Sequence, residues 1–299
     1  MITGSDWPGF KRLWPAFLSG VQNRWLLIFS ILLALGGFGI SLFQYLNLIA
    51  VDKISWIFWL ASIALLFAAF LERGQIRRYP SKIRKQEIVL FALLTLVYFI
   101  TRLFRFDVAP WNFFSGLFDD AAWDIYFANE YVTSGAHSFQ VIFLDGFAGI
   151  SRELLFHYYI TAFFKLFGYN LFVFNISLLV LGYITVLFTA LTVSKLLKSF
   201  SVGLLAGVLL NFLPFHVTQT FMGHRYAICP PLMMISLYYL TTAFQNKSFP
   251  RAVLGGVFAA FCLESAIMGK QYVYSLAGFV VLYTAFHWKK IVRGGGATD

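Results

Sequence analysis

The sequence predicts an all-α, polytopic transmembrane bundle of about eight spans with an outer-face loop that carries two interfacial helices. Apolar residues make up 60% of the chain and charged residues only 12%, and the mean hydropathy is +0.75. Several stretches run about 17 to 25 residues without a charge, the length that crosses a hydrocarbon core. Lys and Arg collect in the short linkers between these stretches, as the positive-inside rule requires. The net charge of +10 therefore points to cytoplasmic loops rather than to nucleic acid, which is excluded as an expected partner.

The expected spans are 24–48, 54–71, 87–104, 171–194, 201–217, 229–244, 251–268 and 271–288. Between the second and third lies RGQIRRYPSKIRK, with Arg73, Arg77, Arg78, Lys82, Arg84 and Lys85, which the charge rule assigns to the cytoplasm. Two spans precede it, so the N-terminus is cytoplasmic too. The third span then runs outward and delivers Asp119 and Asp120 to the outer face. The segment LLFHYYITAFFKLF, 154–167, is apolar but too short to span easily and contains His157 and Lys165; these features favour an interfacial or re-entrant helix. If it does not span, Lys195, Lys198, Lys247, Arg251, Lys289, Lys290 and Arg293 are all cytoplasmic; if it spans, that bias reverses. One long outer region, about 105–170, follows from this choice.

Three parts are expected: a two-span extension with a basic cytoplasmic linker (1–86), a membrane module (87–288) and a cytoplasmic tail (289–299). The start, MITGSDWPGFKRLWPAF, has no short apolar core ending in a cleavage site and predicts no signal peptide. The two cysteines, Cys229 and Cys262, lie within or beside apolar runs and imply no disulfide framework or zinc site. DDAAWDIYFANEYVTSG predicts a helix that starts near Asp119, where carboxylates suit the macrodipole, and ends by Gly135. Trp123, Tyr126, Phe127 and Tyr131 give it an aromatic face for the headgroup layer. The second interfacial helix follows GFAGISRE, a Gly-rich approach to Arg152 and Glu153.

The order of these elements resembles the N-terminal membrane module of the GT-C glycosyltransferases, the class of protein O-mannosyltransferases and the lipid A aminoarabinose transferase. FDDAA stands where bacterial relatives have an acidic "DEA" element, SRELLF stands for "GREPLF", and FLPFHVTQTFMGHRYAICPPLMMISLYYL resembles the family's outer loop and next helix. The resemblance covers roughly 87–288, and its elements are specific by order and spacing rather than singly. Leu154 stands where the family has Pro, and Asn175 where many relatives have Arg.

The resemblance implies transfer of a sugar from a polyprenyl-phosphate donor to an acceptor hydroxyl on the outer face of a prokaryotic plasma membrane. A lipid donor keeps its phosphate at headgroup depth, where these acids and cations fall. An attacking hydroxyl needs a carboxylate to take its proton, and the departing phosphate needs cations. Direct displacement inverts the anomeric centre, by analogy with inverting glycoside hydrolysis. Asp119 aligns with the family's first acid as general base, Asp120 with the second, and Glu153 with an acid assisting acceptor or sugar binding. Arg152, Arg225, His224 and Lys270 are the candidate phosphate ligands. No cofactor is required by this reading; a divalent cation at Asp119 and Asp120 is the alternative left open, since adjacent carboxylates suit hard ions, although two oxygen donors do not complete a site.

Each residue has a structural alternative: an N-cap for Asp119, a surface ion pair for Arg152 and Glu153, and headgroup anchors for Arg225, Lys270 and Lys165. Glu264 falls in an apolar run, where an acid is costly. The expected partners are the lipid-linked donor, a lipid, glycan or protein acceptor, and membrane lipids. GT-C enzymes generally continue with further spans, so a longer reading frame or a partner subunit bearing them is also expected. The competing functions are a non-catalytic lipid-binding scaffold and a carrier transporter; against the latter, no inverted repeat or matched pair of broken helices is evident.

Overall fold

The computed structural model describes residues 24–45, 57–58, 61–62, 64–65, 85–103, 120–133, 146–147, 150–151, 154–223, 225–246, 248–265 and 267–293. The described residues are overwhelmingly helical. The helices are α1 (Arg24–Tyr45), α2 (Lys85–Leu103), α3 (Asp120–Thr133), α4 (Leu154–Phe167), α5 (Leu171–Leu196), α6 (Phe200–Phe212), α7 (Pro214–Met222), α8 (Cys229–Asn246), α9 (Phe249–Leu263) and α10 (Ile267–Arg293), with a 3-10 turn at Arg225–Ile228. A two-residue antiparallel hairpin, β1 (Gly146–Phe147) and β2 (Ile150–Ser151), pairs Gly146 with Ser151 and Phe147 with Ile150. The Gly-rich approach to Arg152 is thus a small hairpin that ends one residue before it.

α5 is the axis of the bundle and packs against α2, α4, α6, α7, α8 and the 3-10 turn. Its sequence, rich in Val, Ile, Thr and Phe, has modest intrinsic helix propensity. Lipid removes the alternative, because a strand would leave unpaired backbone groups in hydrocarbon. The hydroxyls are absorbed within the helix: Thr185 Oγ1 donates to Leu181 O at 2.9 Å, Thr189 Oγ1 to Thr185 O at 2.7 Å and Ser177 Oγ to Phe174 O at 2.6 Å. The start of α5 is set by Asn170, whose Oδ1 accepts the Val173 N–H at 2.8 Å. α4 stops just before it at Gly168, where φ is 89° and the amide reaches back to Phe164 O at 2.9 Å.

Small residues let α6 close on α5. A Cβ at Gly203 would collide with the Ala190 carbonyl oxygen and lie 2.8 Å from Ser194 N; one at Gly207 would lie 3.0 Å from Ala190 Cβ and 3.1 Å from Leu94 Cδ2 of α2. This is the four-residue small-residue spacing that permits close approach of membrane helices. Leu94, Tyr98, Leu179, Val186 and Ala190 form the core of this part, with Leu204 and Val208 packed on it. At the other side Ala259, Cys262 and Tyr272 join α9 and α10 to α8, and Tyr272 Oη donates to Ser236 Oγ at 2.9 Å.

Leu171–Leu196 and Arg225–Asn246 are long and apolar enough to cross a membrane; a third span results if α6 and α7 count as one. The described helices therefore establish two or three spans of the eight expected. The expected span 201–217 is not straight: α6 and α7 diverge by 60°, because Pro214 lacks the N–H that would continue the ladder. The span expected at 251–268 ends earlier, with Glu264 at the C-cap of α9. Glu264 thus sits in the turn before α10 rather than inside a helix. α4 has 14 residues, about 21 Å of helix against a hydrocarbon core of about 30 Å. The expected span 54–71 lies mostly outside the described residues. Many large apolar side chains on α1, α2, α6 and α10 are exposed, among them Trp25, Ile100, Leu209 and Phe286, as lipid-facing surfaces require.

Gly203→Ala is expected to destabilise the protein by about 1–3 kcal/mol through overpacking, read as a lower unfolding midpoint in detergent. Gly256→Ala, in α9 with nothing within 4 Å of its added Cβ, is the control and should unfold at the wild-type midpoint or slightly above it.

Candidate functional site

The site is assembled where α3, α4 and the 3-10 turn meet α5. α3 begins at Asp120, matching the helix expected after the acidic pair. Its buried face is Asp124, Ile125 and Ala128, at the one- and four-residue spacing of a helical stripe. α4 presents Phe156, His157, Ile160, Thr161 and Phe164 on its own buried face. The two faces close on Val173, Phe174, Leu178 and Leu181 of α5 and on Ile228 of the turn.

Asp124 lies inside this apolar cluster and is 0% exposed. Its Oδ1 is 2.8 Å from His157 Nε2, and its Oδ2 accepts the backbone N–H of Arg225 at 3.2 Å. A carboxylate only accepts, so the His157 Nε2–H and the Arg225 N–H are the donors. One side chain on α3 thereby ties α4 and the start of the α8 segment to itself. Nearby, Thr161 Oγ1 donates to Ala128 O at 3.3 Å, and Tyr159 Oη to Ser177 O at 2.7 Å. Burial pushes the Tyr159 hydroxyl well above the usual tyrosine range, with Tyr98 adding to it, so Tyr159 acts as a neutral donor.

Of the aromatic face expected on α3, Trp123, Tyr126 and Phe127 cluster together, and the Tyr131 side chain lies outside those described. Trp123 stacks on Phe127 with centroids 5.7 Å apart, and Tyr126 meets both rings edge-on at 6.0 and 5.8 Å. Tyr126 is exposed, whereas the Phe127 ring meets the His157 ring edge-on at 5.8 Å. The aromatic group therefore shields one side of the Asp124–His157 pair.

Among the expected site residues, Arg225 is brought directly to this cluster. It opens the 3-10 turn, and its guanidinium lies 5.5 Å from the centroid of the Tyr226 ring. Lys270 sits in the first turn of α10, whose neighbours are α9 and α8. Asp120 is the first residue of α3. Asp119, Arg152, Glu153 and His224 lie outside the described residues, although each directly precedes a described element or is one residue removed from it. Lys165 is exposed on α4. Among the described residues no three His, Cys, Asp or Glu side chains converge as a metal ligand set; Asp119 lies outside that search.

Sequence reasoning missed Asp124 and His157. The available signal was registry: Asp124 is one turn past Asp120 on the stripe of Ile125 and Ala128, and His157 lies on the stripe of Phe156, Ile160 and Phe164. Each is a polar residue at an apolar position of a short helix. Two such residues in neighbouring helices are candidates to satisfy one another.

Residues 151–294 match the family described as dolichyl-phosphate-mannose-protein mannosyltransferase. The match covers just under half of the chain and is to a family of GT-C type. No curated protein and no solved structure matches the chain. The matched segment begins at β2, one residue before Arg152, and contains α4 to α10 with Arg225 and Lys270. α3 and its acids lie N-terminal to the match and are joined to it through Asp124. The apolar helices are those of an integral membrane protein, and the matched segment is similar to membrane mannosyltransferases.

Because both members are buried, removing one leaves the other uncompensated. Asp124→Ala and His157→Ala are each expected to cost about 3–5 kcal/mol, measured as thermal unfolding in detergent. The double variant Asp124→Ala/His157→Ala should lose less than the sum. Additive losses would show that the two side chains do not act as a pair.

Proposed function

We propose that this GT-C module transfers a sugar, with mannose as the first candidate, from a polyprenyl-phosphate donor to an acceptor hydroxyl on the outer face of the membrane, with inversion. The observation that carries the reading is the Asp124 carboxylate, which binds His157 of α4 and the amide of Arg225. It gathers the three segments that hold the candidate residues: the one after Asp119 and Asp120, the one after Arg152 and Glu153, and the one containing His224 and Arg225. Asp124 itself is sealed from substrate and serves as a tie, which leaves the chemistry to its neighbours along the chain.

In this reading Asp119 takes the proton of the acceptor hydroxyl as its oxygen attacks the anomeric carbon. The bond from that carbon to the phosphate oxygen breaks, and the phosphate leaves with the electron pair. Arg152 and Arg225, assisted by His224 and Lys270, meet the developing charge. Asp120 and Glu153 orient the acceptor and the sugar. The alternative role of Asp119 and Asp120, holding a divalent cation, is separated by chelation: activity that survives EDTA assigns them to proton transfer and orientation.

The test is transfer of labelled mannose from polyprenyl-phosphate mannose by the protein in liposomes supplied with envelope acceptors. Asp119→Asn should lower the rate by about 10²–10⁴-fold; a wild-type rate in that variant would remove the proposed base. Arg225→Ala is the companion: Asp124 holds Arg225 through its backbone N–H, a tie that the substitution leaves in place, while the contact of the guanidinium with the Tyr226 ring is lost. It should weaken donor use in protein that still unfolds cooperatively.

The outer-face placement has its own check. Lys165→Cys, at an exposed position of α4, should react with a membrane-impermeant maleimide added outside intact cells, while the buried Cys229 and Cys262 stay unlabelled. Protection from outside together with labelling from the cytoplasmic side would invert the topology.

A further inference from the structure

Away from the Asp124 tie, the largest fully buried side chain among the described residues is Arg102, in the last turn of α2. A cation at 0% exposure in a membrane helix is expensive unless its donors are used. NH1 donates to Thr101 Oγ1 at 2.9 Å and to Asn211 Oδ1, and NH2 donates to Asn211 O at 2.8 Å. The guanidinium also lies 4.4 Å from the centroid of the Tyr98 ring, whose hydroxyl donates to Leu179 O at 2.7 Å. Asn211 is thus held twice, by side chain and by backbone, from a helix 109 residues away in sequence.

The Asn211 carbonyl is available because the helix breaks just beyond it. In an unbroken helix it would accept the N–H four residues on. α6 instead ends at Phe212, Leu213 turns to an extended ψ of 120°, and Pro214 starts α7 in a direction 60° away. The Leu213 N–H takes Leu210 O at 3.2 Å. Arg102 fills the next open position, placing a cation at the negative end of α6 as a helix C-terminus prefers.

α7 runs from this break to Met222, turns at Gly223 with φ 67° and delivers Arg225 to Asp124 two residues later. It has nine residues, about 13 Å, so a change of about 10° at the break moves its far end by about 2 Å. Misplacement of that size is enough to impair positioning of a reacting group. α2 guides α7 at a second point: a Cβ at Gly182 of α5 would lie 2.5 Å from Tyr98 Oη and 2.8 Å from Thr220 Oγ1 of α7.

We infer that Arg102 is a positioning residue for glycosyl transfer: by capping α6 it fixes the angle of the α6–α7 break and, through α7, the placement of Arg225. The inference rests on the proposed role of Arg225 at the donor phosphate. Arg102 does not touch substrate in this scheme.

The experiment joins a distance to a kinetic split. Spin labels at Ile88→Cys and Phe215→Cys, both exposed positions on α2 and α7, report the angle in the full-length protein in nanodiscs. The parent should give one narrow distance distribution. Arg102→Gln should broaden or shift it and raise the donor KM by about tenfold while the acceptor KM holds. Arg102→Lys should recover part of both effects, and Asn211→Ala, which keeps the backbone acceptor, should show a smaller change. Thr220→Val, which alters the contact of α7 beside Gly182 and keeps Arg102 and Tyr98, keeps the test open if Arg102→Gln fails to fold; it should raise the donor KM in the same direction.

An unchanged distribution in folded Arg102→Gln overturns the inference, as does an altered distribution with unchanged donor KM. If the parent transfers no sugar, the glycosyl-transfer reading fails separately. The distances then decide whether Arg102 sets the break: a shift in Arg102→Gln upholds that part, and no shift overturns it.

Discussion

The arrangement of α3, α4 and the turn that opens at Arg225 depends on one carboxylate. Asp124 is enclosed by apolar side chains of α3, α4, α5 and the 3-10 turn, a setting in which an unpaired charge would be prohibitive. Its two oxygens are used on two different elements, His157 of α4 and the Arg225 amide. Remove that use and α3 and α4 keep apolar packing, which is non-directional, and the hydrogen bonds of Thr161 and Tyr159, but nothing of Asp124 reaches the turn at Arg225. The hydrogen bonds of Asp124 supply that direction, so α3, α4 and the 3-10 turn form a defined platform.

Below this platform the same logic recurs with neutral groups and a cation. The hydroxyls of α5 fold back on its own carbonyls, Ser236 links Gly255 O and Tyr272 Oη, and Arg102 occupies the acceptors of Asn211. These bonds answer the requirement that polar groups in a bilayer find partners inside the protein, although Arg102 Nε and Asn211 Nδ2 are buried without one. The seam between α5 and α6 contributes by the opposite means: at Gly203 and Gly207 side chains are absent and backbone meets backbone or methyl. Directional bonds at the ends of the helices and bare contact along their lengths together place α7, and with it Arg225.

Much of the helical plan was legible in the sequence. Apolar runs without charge marked α5 and α8 to within a few residues, and the 154–167 segment is one helix with those bounds. The acidic start and aromatic face of α3 were also readable, because cap chemistry and a helical stripe are local properties. The break at Leu213 was not anticipated, although Pro214 announces it; an average over an apolar window registers hydropathy and not the loss of one N–H. Asp124 and His157 escaped for a related reason. Charges at the membrane boundary draw attention to acids such as Asp119, whereas a buried pair is visible only when two stripes from different helices are laid face to face. That Asp124 binds the backbone of Arg225 rather than its guanidinium follows from tertiary placement alone.

The tie at Asp124 also orders the making of the protein in time. Its partners lie 33 and 101 residues further along the chain. A ribosome adding about 5–20 residues per second needs on the order of 5–20 s to supply Arg225 after Asp124 has emerged. During that interval His157 can be captured, but one carboxylate oxygen still needs water, so α3 and α4 wait at the wet boundary of the bilayer. Burial becomes favourable once α5 has crossed, α6 and α7 have followed it and the turn at Arg225 has arrived. The platform is completed by the late membrane segments, and a ribosome stalled before them leaves an open surface with its acid still hydrated.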